Sequence, residues 1–218
     1  MTKSVIVLNA SPRRNSNTAT LLKEAVRGAQ ETGANVEYFN LFDINYKGCI
    51  SCFACKIKGS TTNGLCAYKD ELRPILEKVV NSDAVIIGSP IYYSYPTGMF
   101  RNLLERMLFA AGSYMIGEST NLHRTIPVGL IYTMNVTEDG AKLYNYPELM
   151  APNEEYLKFI YGYAETLWCY DTYQFSDYSK YDCDMFDEPH KRQVRDTQFP
   201  LDMHRAFELG KKLAEMQK

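Results

Sequence analysis

Apolar and polar positions along this chain follow two alternating periods, one of strands buried on both faces and one of amphipathic helices. Ser4–Asn9 is a continuous apolar run (Val5, Ile6, Val7, Leu8), the pattern of a strand covered on both sides. Residues 18–32 then place Leu21, Leu22, Ala25, Val26 and Ala29 at helical spacing, with Gly33 as the C′ residue. Residues 35–42 alternate as a second strand through Val36, Tyr38 and Leu41. A glycine- and cysteine-containing loop over 47–67 leads to a short helix over 71–80, with Pro74 tolerable in its first turn. A second unbroken apolar run, 83–88, predicts another covered strand, and 97–109 returns to helix with Phe100, Leu103, Leu104, Met107 and Leu108 inward. Further along, 125–132 reads as a strand, 156–167 as a helix, 168–175 as a final strand and 201–216 as a terminal helix.

Strands and helices that alternate in this way predict an α/β fold with a parallel sheet and right-handed crossovers. In such sheets ligands sit beyond the carboxyl ends of the strands, where the strand order reverses. Two unusual loops lie at such ends. The first, residues 11–18, carries Ser11, Arg13, Asn15, Ser16, Asn17 and Thr18 into the start of a helix. Unpaired first-turn N–H groups and the helix dipole make that an anion site. It has no glycine, so it is neither the dinucleotide fingerprint nor the Walker loop; an ordinary N-cap is the simpler alternative. The second, residues 89–96, offers a proline and aromatic wall in Pro90, Ile91, Tyr92 and Tyr93. A flat ring carrying a phosphate tail suits the two loops together.

At 218 residues the chain fits a single domain spanning 1–218, with the cysteine loop at 47–67 and a tyrosine-rich C-terminal extension at 144–199. A net charge of -2 gives no reason to expect nucleic acid, and no segment reaches the roughly 20 apolar residues of a membrane span. The N-terminal residues enter a strand pattern directly, so a cytoplasmic location is expected. Six cysteines then speak for thiol, metal or redox chemistry over structural disulfides.

The stretches 8–13 and 16–18, the run Gly88-Ser89-Pro90-Ile91-Tyr92 and the helix that follows resemble the flavodoxin-like NAD(P)H-dependent FMN reductases. Gly48-Cys49-Ile50-Ser51-Cys52 and residues 66–70 extend the likeness to the branch related to iron–sulfur flavoproteins, so that it covers about the first 110 residues. The resemblance implies a five-stranded parallel sheet in the order 2-1-3-4-5 with helices on both faces. It also implies FMN as cofactor and NAD(P)H as electron donor, with a small acceptor such as a quinone or flavin. The FMN phosphate would lie on the 11–18 loop and the isoalloxazine against residues 90–93. The flavin carries the chemistry in such proteins, so no catalytic acid or base is expected from the chain. An electron carrier with FMN, with or without a [4Fe-4S] cluster, is the alternative.

Cys49, Cys52 and Cys55 stand at tight x2 spacing, and Cys66 follows after ten intervening residues. Iron–sulfur ligation and structural zinc both use such thiols. The long gap and the missing paired CxxC pattern set the expectation at no bound metal. His123, His190 and His204 are scattered and read as surface residues. About half of the 17 tyrosines fall between 144 and 186, which fits a homodimer interface or a packed sheet edge.

Overall fold

The computed structural model describes residues 2–60 and 62–216. Five parallel strands form the sheet: β1 (Ser4–Asn9), β2 (Asn35–Asn40), β3 (Ala84–Tyr92), β5 (Val128–Thr133) and β6 (Ala164–Cys169). They lie in the order β2-β1-β3-β5-β6, and a two-residue strand, β4 (Tyr95–Pro96), folds back antiparallel on β3. With that hairpin set aside, the order is the flavodoxin-like one expected from the sequence.

Alternate side chains of each strand serve opposite faces, which is why the strands read as continuous apolar runs. Val5, Val7, Ile86 and Ile131 pack under α1 (Asn17–Glu31) and α6 (Glu188–Glu215). Ile6, Leu8, Val85, Ile87 and Leu130 pack beneath α3 (Gly98–Ala111) and α5 (Tyr146–Tyr161), with α2 (Arg73–Asn81) covering the same face. A short α4 (Glu138–Leu143) precedes α5. On the first face α1 and α6 touch backbone to backbone. A Cβ on Gly28 would fall 1.9 Å from the Phe207 carbonyl oxygen, and one on Gly210 would fall 1.9 Å from that of Ala25.

The second half of the chain departs most from the sequence expectation. The helix expected at 156–167 is α5, ten residues earlier at its start, and it ends at Gly162, whose φ of +90° suits glycine. The last strand is consequently Ala164–Cys169, not 168–175. The terminal helix starts at Glu188, thirteen residues before the start expected at 201, with Asp187 as its N-cap and Pro200 inside it. The tyrosine-rich stretch is therefore no appendage: it supplies α5, β6 and the beginning of α6.

Candidate functional site

The β1–α1 and β3–α3 loops meet at the carboxyl edge of the sheet. Asn9, fully buried, accepts a hydrogen bond from the Ser11 amide (3.0 Å) and donates to Asn40 (3.0 Å), which fixes the exit of β1. Thr97 caps α3 by accepting from the Phe100 amide, and its hydroxyl donates to the Ala10 carbonyl at 2.8 Å. The Thr97 amide in turn donates to the Ser89 hydroxyl. One threonine thus ties the two loops together. Thr18 completes the floor through a buried hydroxyl pair with Thr133 at 2.7 Å.

Ser16 is the N-cap residue of α1, yet its side chain makes no cap hydrogen bond, and no acidic residue occupies the first turn. The positive end of the α1 dipole therefore has neither a side-chain cap nor a carboxylate as its partner. The cleft above it is lined by Ser11, Arg13, Ser16, Asn17 and Thr18 on one side and Pro90, Ile91 and Tyr92 on the other. Asn15 lies outside this lining, where it accepts from Lys23. Tyr93 sits at the exposed tip of the β3–β4 hairpin. Tyr93 and Ser94 both have positive φ (48° and 73°), the backbone of a tight hairpin turn usually given to Asn or Gly. That strain is placed beside the cleft.

A third and fourth wall were missed from the sequence. Thr133 at the end of β5 with Met134 and Asn135 beyond it, and Thr172, Tyr173 and Gln174 after β6, close the cleft. Arg13 donates to the Gln174 carbonyl (2.6 Å) and Asn17 to that of Tyr173 (2.7 Å), so the anion loop is braced by the β6 loop. The same strand-end rule that picked the first two loops reaches residues 133–135 from the strand expected at 125–132, and would have reached 172–174 had β6 been placed correctly. Behind this wall Asp171, at φ +55°, takes hydrogen bonds from the buried Lys191 and from His190 (2.6 Å). The Asn135 side-chain oxygen is buried without a hydrogen-bond partner. An uncapped helix end, a hydroxyl and amide donor set, an apolar wall and an orphaned acceptor together fit a phosphate-bearing planar heterocycle.

The cysteine loop makes a second site. The chain folds back after Lys56, and Cys49, Cys52, Cys55 and Cys66 all line one small, largely apolar pocket against Phe109 and Ala110 of α3. The ten-residue gap between Cys55 and Cys66 is thereby closed in space. Burial pushes the Cys55 thiol up, with the neighbouring Cys66 and Cys49 sulfurs adding to the shift and Lys56 opposing it. Among the described residues no three His, Cys, Asp or Glu side chains are arranged around a single metal ion. Cys169 lies elsewhere, buried against Asp202 at 3.2 Å, and burial keeps it a neutral thiol.

The model of the NADPH-dependent FMN reductase family matches residues 4–141. The chain belongs to that family. The match runs from β1 through β5 into α4 and so takes in three of the four loops that build the cleft. Among curated relatives, an iron–sulfur flavoprotein of Methanocaldococcus jannaschii is 33% identical over 102 residues, covering 47% of this chain and 50% of the relative. One of Archaeoglobus fulgidus is 34% identical over 113 residues, 51% of this chain and 53% of the relative. The chain spans about half the length of these relatives. Among solved structures, an NAD(P)H:quinone oxidoreductase from Methanothermobacter marburgensis aligns over the whole of both chains at 15% identity with a TM-score of 0.69. An azoreductase from Bacillus anthracis aligns over 97% of this chain and all of its own at 12% identity and a TM-score of 0.64. At these identities the two structures share the fold with this family member.

Proposed function

We propose that this protein is an FMN-dependent oxidoreductase that takes hydride from NAD(P)H and reduces a small acceptor such as a quinone or a flavin. The observation that carries the reading is the uncapped α1 terminus facing an apolar wall across one cleft. FMN supplies the hydride and electron chemistry when bound. The chain's part is to hold and orient it. Ser11, Arg13, Ser16, Asn17 and Thr18 offer hydroxyl, amide, guanidinium and backbone donors to the phosphate, while Pro90, Ile91 and Tyr92 offer the ring a dry face. Tyr93 and the rest of the hairpin tip border the mouth through which nicotinamide and acceptor would enter in turn. Such alternation predicts ping-pong kinetics. Anaerobic addition of NADPH or NADH to the FMN-loaded protein should bleach the flavin band near 450 nm; flavin that stays oxidised over minutes with both donors overturns the reading.

A second reading is favoured by the thiol pocket. Cys49, Cys52, Cys55 and Cys66 all line one pocket, and four thiols are the donor set of an iron–sulfur cluster. On this reading the protein is an electron-transfer flavoprotein whose Cys49, Cys52, Cys55 and Cys66 hold an iron–sulfur cluster, FMN occupying the same cleft. Anaerobic reconstitution with iron and sulfide tests it: uptake lost in Cys52→Ser supports the cluster, and no uptake by the unaltered protein removes it.

For either reading a homodimer is the expected working form. A groove between α3 and α5 is lined by Leu108, Phe109, Tyr114, Tyr156 and Phe159, and Tyr114, Tyr156 and Phe159 are more than half exposed. Apolar surface gathered in this way marks an interaction face. Among the described residues no helix is long and apolar enough to cross a membrane.

A further inference from the structure

Arg106 is the largest fully buried side chain among the described residues, 1% exposed in the middle of α3. Its guanidinium makes bonds in five directions. Nη1 and Nη2 donate to both oxygens of Asp70 (2.7 and 3.1 Å), Nη1 also to the Lys47 carbonyl (3.1 Å) and Nη2 to the Tyr68 carbonyl (3.1 Å). The remaining N–H, on Nε, points at the Cys66 sulfur at 2.9 Å. A buried charge of this kind is tolerated because it is paired and its donors are satisfied. The choice of partners is less ordinary. The two carbonyls it grips, of Lys47 and Tyr68, flank the cysteine loop on either side, and the sulfur it touches belongs to the thiol of the four that is remote in sequence.

We propose that Arg106 is a positioning residue for a cluster held by the four thiols: it brings Cys66 to the other three and donates its Nε–H to the ligating sulfur. The inference rests on the cluster reading above. Its first half follows from the chain path. Cys66 reaches the pocket only if residues 56–65 fold back, and the Arg106 fork holds Cys66 itself and the two flanks of the whole cysteine loop, at Lys47 and Tyr68, against α3 in one rigid plane. Its second half follows from electrostatics. A ligating thiolate carries negative charge, and reduction of a cluster adds one more electron to the sulfurs and irons. An N–H dipole aimed at a ligating sulfur stabilises the reduced form more than the oxidised form and so raises the potential. Asp70 offsets most of the guanidinium's net charge, so the directed Nε–H is the part that acts on the sulfur.

Arg106→Leu alone would leave Asp70 buried and unpaired, so the principal variant is Arg106→Leu/Asp70→Leu, which removes both charges together. Arg106→Lys keeps a charge for Asp70 but cannot span the carboxylate and the sulfur, and it stands in if the double variant does not fold. Each protein is loaded with FMN, reconstituted anaerobically with iron and sulfide, analysed for metal, and titrated electrochemically with the reduced cluster followed by electron paramagnetic resonance. FMN affinity should be unchanged, because Arg106 lies outside the flavin cleft. In the variants the reduction equilibrium of the cluster should move at least tenfold toward the oxidised form, about 59 mV for one electron. Failure of a variant to take up iron while its FMN affinity stays intact supports the positioning role as well. Iron uptake with an unchanged potential overturns the inference and leaves the cluster standing. No iron uptake by the unaltered protein overturns both.

Discussion

Arg13 reaches across the cleft mouth to the Gln174 carbonyl, so it both braces the wall and brings a positive charge to the edge of the anion loop. Arg13→Ala should weaken FMN binding by about 1.5–3 kcal/mol, the scale of a charge-assisted hydrogen bond and roughly ten- to a hundredfold in affinity. Fluorescence titration of the apoprotein with FMN measures it, and an unchanged dissociation constant would remove Arg13 from the site. Thr18 and Thr133 present a different case, since each satisfies the other's buried hydroxyl. Thr18→Val keeps the shape but strands the Thr133 hydroxyl, at a cost of about 1–3 kcal/mol in urea unfolding. Adding Thr133→Val should recover part of that loss, because removing both members of a buried pair is cheaper than removing one. A double variant less stable than Thr18→Val alone would show that the pair is not the cause.

At the scale of elements, the crossing of α1 and α6 depends on two glycines that the periodicity of neither helix points to. Gly28 and Gly210 let the two backbones touch, and a methyl group at either position would have to displace a carbonyl, not a flexible side-chain end. Gly210→Ala should therefore destabilise by at least about 1–3 kcal/mol, the usual cost of overpacking, despite alanine's better helix propensity. A shift of the urea midpoint to higher concentration would mean that the helices are not in contact there. Gly88 is closely covered on the sheet side too, there by side chains: Leu22 and Thr18 of α1 come within 2.7–2.8 Å of where its Cβ would lie. That close approach lets the first turn of α1, and with it the anion site, settle directly on β3.

For the whole molecule, the exposed aromatic groove between α3 and α5 lies next to the cysteine loop, since Cys49 and Ser51 line its edge. A second copy seated there would cover Tyr156 and Phe159 and would shield the thiol pocket from solvent. Light scattering should find a dimer or a larger homo-oligomer, and Phe159→Asp with Tyr156→Asp should dissociate it while leaving FMN affinity in place. A monomer in the unaltered protein at micromolar concentration would dismiss the groove as an interface.

The strands β1 and β3, the helices α1 and α3 and the two loops between them were legible in the sequence because their signals are local. Buried runs of Val, Ile and Leu, helical spacing, and a cluster of hydroxyls and amides at a helix start each depend on neighbours only a few residues apart. Parallel order with helices on both faces follows from the alternation of those elements and the handedness of the crossovers. What the tertiary structure decided depends on residues far apart along the chain. The true bounds of β6 rest on Gly162 ending α5 and on pairing with β5, so the cleft wall at residues 172–174 stayed out of view. The extension of α6 back to Glu188, past Pro200, rests on the Asp187 cap and on Lys191 reaching Asp171 and the Asn135 carbonyl, partners far away along the chain. Tyr93 read as part of a flat aromatic wall, yet a two-residue turn lifts it to an exposed tip. The gathering of Cys66 with Cys49, Cys52 and Cys55 likewise needed a partner that spacing cannot reveal: a buried arginine, 40 residues downstream on α3, whose fork pulls both ends of the loop to one point.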